Sequence, residues 1–186
     1  MTQYYIKDAI LGVLNALRDI EYTPTDYREQ CRTGYLFQEV DIFNSQVKFE
    51  ANGQTFATPR PAAFVEMHVG DYTQLAFGGN IGSNCQFIIH LVDDQYDSKD
   101  GNFDRNLDVF DYRQLLVDKL SNYTPPQCSV LTLTNEKQDY EHGNVYHYLL
   151  TFTCSFVDMT GSILASDNTN IKQPPTDLNL TTGYGS

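Results

Sequence analysis

The chain of 186 residues has no tryptophan, only 4 cysteines and half as many basic residues (12 Lys+Arg) as acidic ones (24 Asp+Glu). Each shortage excludes something. Phosphate contact needs clustered Lys and Arg, and here the basic residues are scattered along a chain of net charge −12, which argues against tight nucleic-acid binding. The cysteines (Cys31, Cys85, Cys128, Cys154) stand singly, with no CxxC or CxH spacing for zinc. No stretch approaches the ~18 apolar residues of a membrane-spanning helix. No apolar secretion-signal core opens the chain, and from this we expect folding in a reducing cytoplasm.

What is present is a hydrophobic share of 41%, enough for the core of one domain, and an aromatic set of 13 Tyr and 11 Phe. Tyrosine buries a ring while keeping a hydrogen bond, which suits surfaces that meet other proteins, and it also favours strands. The organising pattern is a pair of stretches, Cys85–Asp93 and Asn144–Asp158. In the second, Tyr146, Tyr148, Leu150, Phe152, Cys154 and Phe156 alternate with His147, Leu149, Thr151, Thr153, Ser155 and Val157. Side chains alternate across a strand, so one face is apolar and the other mostly polar. Cys85, Phe87, Ile89 and Leu91 repeat the pattern.

Two amphipathic helices are expected to cover that apolar face. Tyr5–Ile20 carries Ile6, Ala9, Ile10, Val13, Leu14 and Leu17 on one stripe. Arg105–Asn122 carries Val109, Tyr112, Leu116 and Leu120, with Asn106 as its expected cap. Ala62–Val69 reads as a strand with Ala63, Val65, Met67 and Val69 on one side and Phe64, Glu66 and His68 on the other. Cys128–Thr134 reads as a short strand followed by a polar connection, Asn135–Gly143. Asn52-Gly53 is a strong hairpin signal, since both turn residues tolerate positive φ. Gly78–Ser83 has no lysine or helix after it and reads as a mobile loop, not a phosphate cradle. The acidic loop Asp93–Asp104 fails the calcium-loop pattern, because Tyr96 and Leu107 fall where acids are required. The fold expected is α+β: a mainly antiparallel sheet with two helices on one face, an extended hairpin arm at about 44–58, and a polar tail. Residues 1–160 form one domain, and 161–186, rich in Thr, Asn, Gly and Pro, cannot fold alone.

No residues gather into a catalytic pattern. Glu66, His68 and His90 on adjacent strands are the one set that might be read as metal ligands, but strand histidines on a polar face are common and no helical HExxH motif accompanies them. No spacing brings a cysteine to a histidine as nucleophile and base. We therefore expect no catalysis, no cofactor and no metal.

The element order, carried by Ile6–Leu17, by Pro61-Ala62-Ala63-Phe64-Val65-Glu66, by Phe87–Val92, by Val109–Leu120 and by Tyr146–Phe152 with Val157-Asp158, resembles the tail-terminator and neck-ring proteins of tailed bacteriophages. The resemblance covers about residues 5–158; the segment 21–60 is long for it and the polar tail is extra. It implies a small α/β subunit of a homo-oligomeric ring, a hexamer or higher, at the head–tail junction of a virion assembled in the host cytoplasm. Such a ring stops tail polymerisation, contacts tail-tube and neck or connector proteins, and passes genomic DNA through its bore without specific binding. No membrane is involved. The hairpin residues Val47, Phe49, Asn52, Gly53 and Phe56 are the expected subunit contacts, because a two-stranded hairpin needs another surface over its apolar side. The sequence leaves two other classes open: an aromatic-rich soluble binding module, and a metal-dependent enzyme using Glu66, His68 and His90.

Overall fold

The computed structural model describes residues 6–23, 34–46, 59–75, 78–94, 103–139 and 145–158, the side chains of 103–106 excepted. The elements run α1 (Ile6–Arg18), β1 (Glu21–Tyr22), β2 (Gly34–Tyr35), β3 (Glu39–Ile42), β4 (Ala62–His68), β5 (Tyr72–Gln74), β6 (Asn80–Asp94), α2 (Phe103–Leu120), β7 (Thr132–Asp139) and β8 (Val145–Asp158). The main sheet has strand order β3-β4-β6-β8-β7, with β5 added on β6. Every pairing in it is antiparallel except β3 with β4. This is the expected α+β architecture.

The two organising stretches pair along most of their length, with Ile89 opposite Leu150, Phe87 opposite Phe152 and Cys85 opposite Cys154. Their apolar parities therefore fall on one face, and the helices lie there. Ala9, Val13, Leu14 and Leu17 of α1 and Val109, Tyr112, Leu116 and Leu120 of α2 are buried in one core with Val65, Phe87, Ile89, Leu150, Phe152 and Phe156. The edge of Tyr112 meets Tyr22 at 5.2 Å between ring centroids. Ile6, first in the expected α1 stripe, is exposed instead, because it stands at the helix's first turn.

Several boundaries differ from expectation. The second helix starts at Phe103, so Asn106 lies inside it and not at its cap. The stretch read as a mobile loop is the start of β6, which begins at Asn80 and pairs with both β5 and β8. A bulge between Gly82 and Cys85, with Asn84 at φ 57°, shifts the register there and hides the alternation. The polar connection after Thr134 is also strand: β7 runs on to Asp139, while Cys128 makes only an isolated bridge to Phe156. The hairpin at Asn52-Gly53, most of the acidic loop, Cys31 and the polar tail lie outside the described residues.

The sheet's second face carries a smaller apolar cluster of Ala62, Phe64, Val92 and Val145, with Phe43 packed against it. Here, too, lie the buried polar side chains His90 and His147.

Candidate functional site

Five polar side chains from four strands form a continuous line across the second face. On β4, His68 Nε2 lies 2.7 Å from Glu66 Oε1. The other Glu66 oxygen lies 3.1 Å from Nε2 of His90 on β6. His90 Nδ1 is 3.0 Å from Nε2 of His147 on β8, and His147 Nδ1 is 3.1 Å from Asp139 Oδ2 on β7. The register explains the line. His90 is opposite Phe64 and Leu149, while His147 is opposite Val92 and Asp139. Glu66, His90 and His147 are thus diagonal neighbours, within reach of long or aromatic side chains, and Asp139 faces His147 directly.

The middle of the line is dry and its ends are wet. The side chains of His90 and His147 are 4% and 3% exposed, against 34% for Glu66 and 23% for Asp139. Phe43 stacks on His90 with ring centroids 3.6 Å apart and planes 10° apart. Burial lowers the pKa of His90, opposed by its hydrogen bond to Glu66 and by the charges of Glu66 and Asp139. Burial alone would raise Glu66, but hydrogen bonds from His68 and His90 and the charges of both histidines outweigh it and hold the carboxyl below its usual range.

Both ring nitrogens of each buried histidine are already engaged with a neighbour in the line. The arrangement thereby cross-links four strands of the sheet. Among the described residues, no group of three or more His, Cys, Asp or Glu side chains is placed to hold a metal ion. The sequence brought Glu66, His68 and His90 together and the structure does the same, but as hydrogen-bonded partners. It missed His147 and Asp139. His147 falls on the polar parity of β8, but setting it opposite Asp139 needs the β7–β8 register.

A second cluster lies on the helix face. Cys85 and Cys154 are buried and directly opposite, and Cys128 is half-buried nearby; all three are free thiols. Hydrogen bonding to Cys154 and burial push the thiols of Cys85 and Cys128 well above the ordinary range. The same hydrogen bonds, from Cys128 and Cys85, lower the pKa of Cys154 against the effect of burial. Cys85 and Cys128 are thus held as neutral, space-filling thiols.

The margins of the domain carry its exposed apolar groups. Over β3 and β4 lies α1, with Ile6 and Leu11 exposed, and Ile42 of β3 is 51% exposed. At the other end, α2 sits over β8 and β7: Phe110 meets Tyr146 and Tyr148, each at 6.4 Å, and Arg113 forks onto Glu136 of β7. Leu107 and Phe110 of α2 are exposed there, each at 47%. The hairpin contacts expected from sequence, Val47, Phe49, Asn52, Gly53 and Phe56, lie outside the described residues.

The chain matches no protein-family model and no curated protein sequence.

Proposed function

We propose that the protein is a structural virion subunit, one copy of a closed ring at the head–tail junction that terminates the tail tube and joins tail to capsid. The observation that carries the reading is the pair of unlike apolar margins at opposite ends of one sheet. A surface that pairs with itself makes a twofold dimer, whereas two different surfaces that meet on adjacent copies make a head-to-tail contact, which gives a ring where the rotation between copies closes. Ile42, on edge strand β3, supplies one such surface; Leu107 and Phe110, on the helix over the opposite edge, supply the other. The element order and the one-sided helix layer also agree with the phage ring subunits that the sequence resembles. Net charge −12 suits a bore that DNA passes without sticking. Another neck or connector ring of the same particle would use the same surfaces, with tail-tube and connector proteins as neighbours.

Light scattering after size exclusion, with negative-stain imaging, tests this. A closed ring is expected, and Phe110→Ser should leave the fold intact while abolishing the ring. A monomer at all concentrations, or a twofold dimer, would overturn the reading. One observation favours a second class: Phe110, Tyr146 and Tyr148 form a three-ring cluster, as a soluble binding module would use. A monomer whose Tyr148→Ala variant loses binding to a glycan or peptide panel would favour that class.

A further inference from the structure

The line from Glu66 to Asp139 sets a proton count. Glu66 is ionised, so His90 Nε2 must carry a hydrogen to donate across the 3.1 Å contact. The 3.0 Å contact between His90 Nδ1 and His147 Nε2 takes one hydrogen and not two, because facing N–H groups repel and facing lone pairs leave both unsatisfied. The 3.1 Å contact from His147 Nδ1 to Asp139 takes a third. Two neutral imidazoles supply only two. A free aspartic acid ionises about 2.6 pH units below imidazolium (about 3.9 against 6.5), so the third proton goes to the ring pair and not to Asp139.

We propose that His90 and His147 hold a single positive charge between them as a one-proton lock across the sheet: His90 protonated on Nε2 toward Glu66, His147 protonated on Nδ1 toward Asp139, and one shared hydrogen in the ring-to-ring contact. Both rings are buried alike, and each meets one carboxylate. The flanking carboxylates Glu66 and Asp139 balance the charge from both ends. Charged and aromatic groups of three neighbouring strands surround the lock. From β4, Glu66 and His68 face it; from β7, Asp139 and, on the same parity, Lys137; from β3, Phe43 stacks on His90, with Glu39 and Asp41 on its parity. Arg60 is paired with Asp94 of β6.

The lock has one bound state. A second proton would place N–H against N–H at His90 and His147, breaking the link between β6 and β8 and disturbing the Phe43 stack. The device is therefore opened by acid.

Nitrogen-15 NMR of the histidine rings in the full chain at pH 7 tests the assignment. The expected pattern is three protonated ring nitrogens out of four, with Nε2 of His90 and Nδ1 of His147 always among them. Two neutral rings, or two fully protonated ones, would overturn it. Asp139→Asn replaces a pure acceptor by a group that can donate its amide hydrogen to His147 Nδ1, so the third proton is no longer needed. In that variant the histidine pair should turn neutral at pH 7, with two protonated ring nitrogens, while His90 keeps its Nε2 hydrogen. Three protonated ring nitrogens in a folded Asp139→Asn protein would overturn the role given to Asp139. If that variant fails to fold, the wild-type spectrum alone decides.

Discussion

Gly12 and Pro126 touch so closely that a β-carbon on residue 12 would lie 2.5 Å from the proline Cδ. The contact is closed from the side by Tyr123, whose hydroxyl donates to the Gly12 carbonyl at 3.1 Å. The turn that follows α2 is thereby seated on the middle of α1. The stripe of α1 faces the sheet, but Gly12 faces the neighbouring loop, and both contacts fix where the helix lies.

Gly12→Ala therefore sets two effects against each other. In an exposed helix interior the change would stabilise by about 1 kcal/mol through helix propensity. Here the proline ring or α1 must move, and overpacking of this kind costs typically ~1–3 kcal/mol. Net destabilisation is the expected outcome, read as a lower urea midpoint with an unchanged slope. A rise in midpoint would show that the loop yields without cost.

Leu150 occupies the centre of β8, fully buried between Ile89 of β6 and Glu136 of β7 in register. Leu150→Ala should cost roughly 2–5 kcal/mol, the range for a core leucine that leaves a cavity. Leu150→Asp buries a charge without a partner and should give no soluble folded protein. A stable, normally folded Leu150→Asp chain would contradict the placement of the helix layer.

The Arg113–Glu136 fork, at 2.9 and 2.7 Å, tells the opposite story. Its side chains are 23% and 36% exposed, so water screens the pair. Glu136→Gln should cost less than about 1 kcal/mol, and less still in concentrated salt. Equal losses from Glu136→Gln and Leu150→Ala would mean that the α2–β7 margin is sealed from water.

Sequence patterns served where one face of an element is buried and failed where none is. Leu150, Phe152 and Phe156 alternate because every second residue of β8 enters the core, and the same holds for Val109, Tyr112, Leu116 and Leu120 at helical spacing. As an edge strand mostly open to solvent, β7 alternates in nothing, so Asn135–Asp139 read as a connection. The start of β6 was hidden by the bulge at Gly82–Cys85, where parity breaks. The histidine line was half visible. Glu66, His68 and His90 share a face by parity alone, but joining His147 and Asp139 to them needs the β6–β8 and β7–β8 registers, which no local pattern specifies.

Acid should loosen the second face before it unfolds the core. The folded-state pKa of His90 lies below the ordinary value of 6.5, so the unfolded chain takes up this proton first. Its contribution to stability is whole above about pH 6.5 and is lost as pH falls from there through the folded pKa. Glu66 is also held below its ordinary value, here 4.5, so its contribution is intact above that pH and is lost as pH falls further. Two successive losses are expected, the first from His90 and the second from Glu66. Urea midpoints measured between pH 7 and 3, with the His90 ring followed by NMR, check the order. His90 should titrate below 6.5 as the Phe43 ring signals shift with it, because the rings are stacked at 3.6 Å. In Glu66→Gln, the loss below pH 4.5 should shrink. An urea midpoint that stays flat from pH 6.5 to 5 while His90 titrates normally would mean that protonating this ring costs the fold nothing.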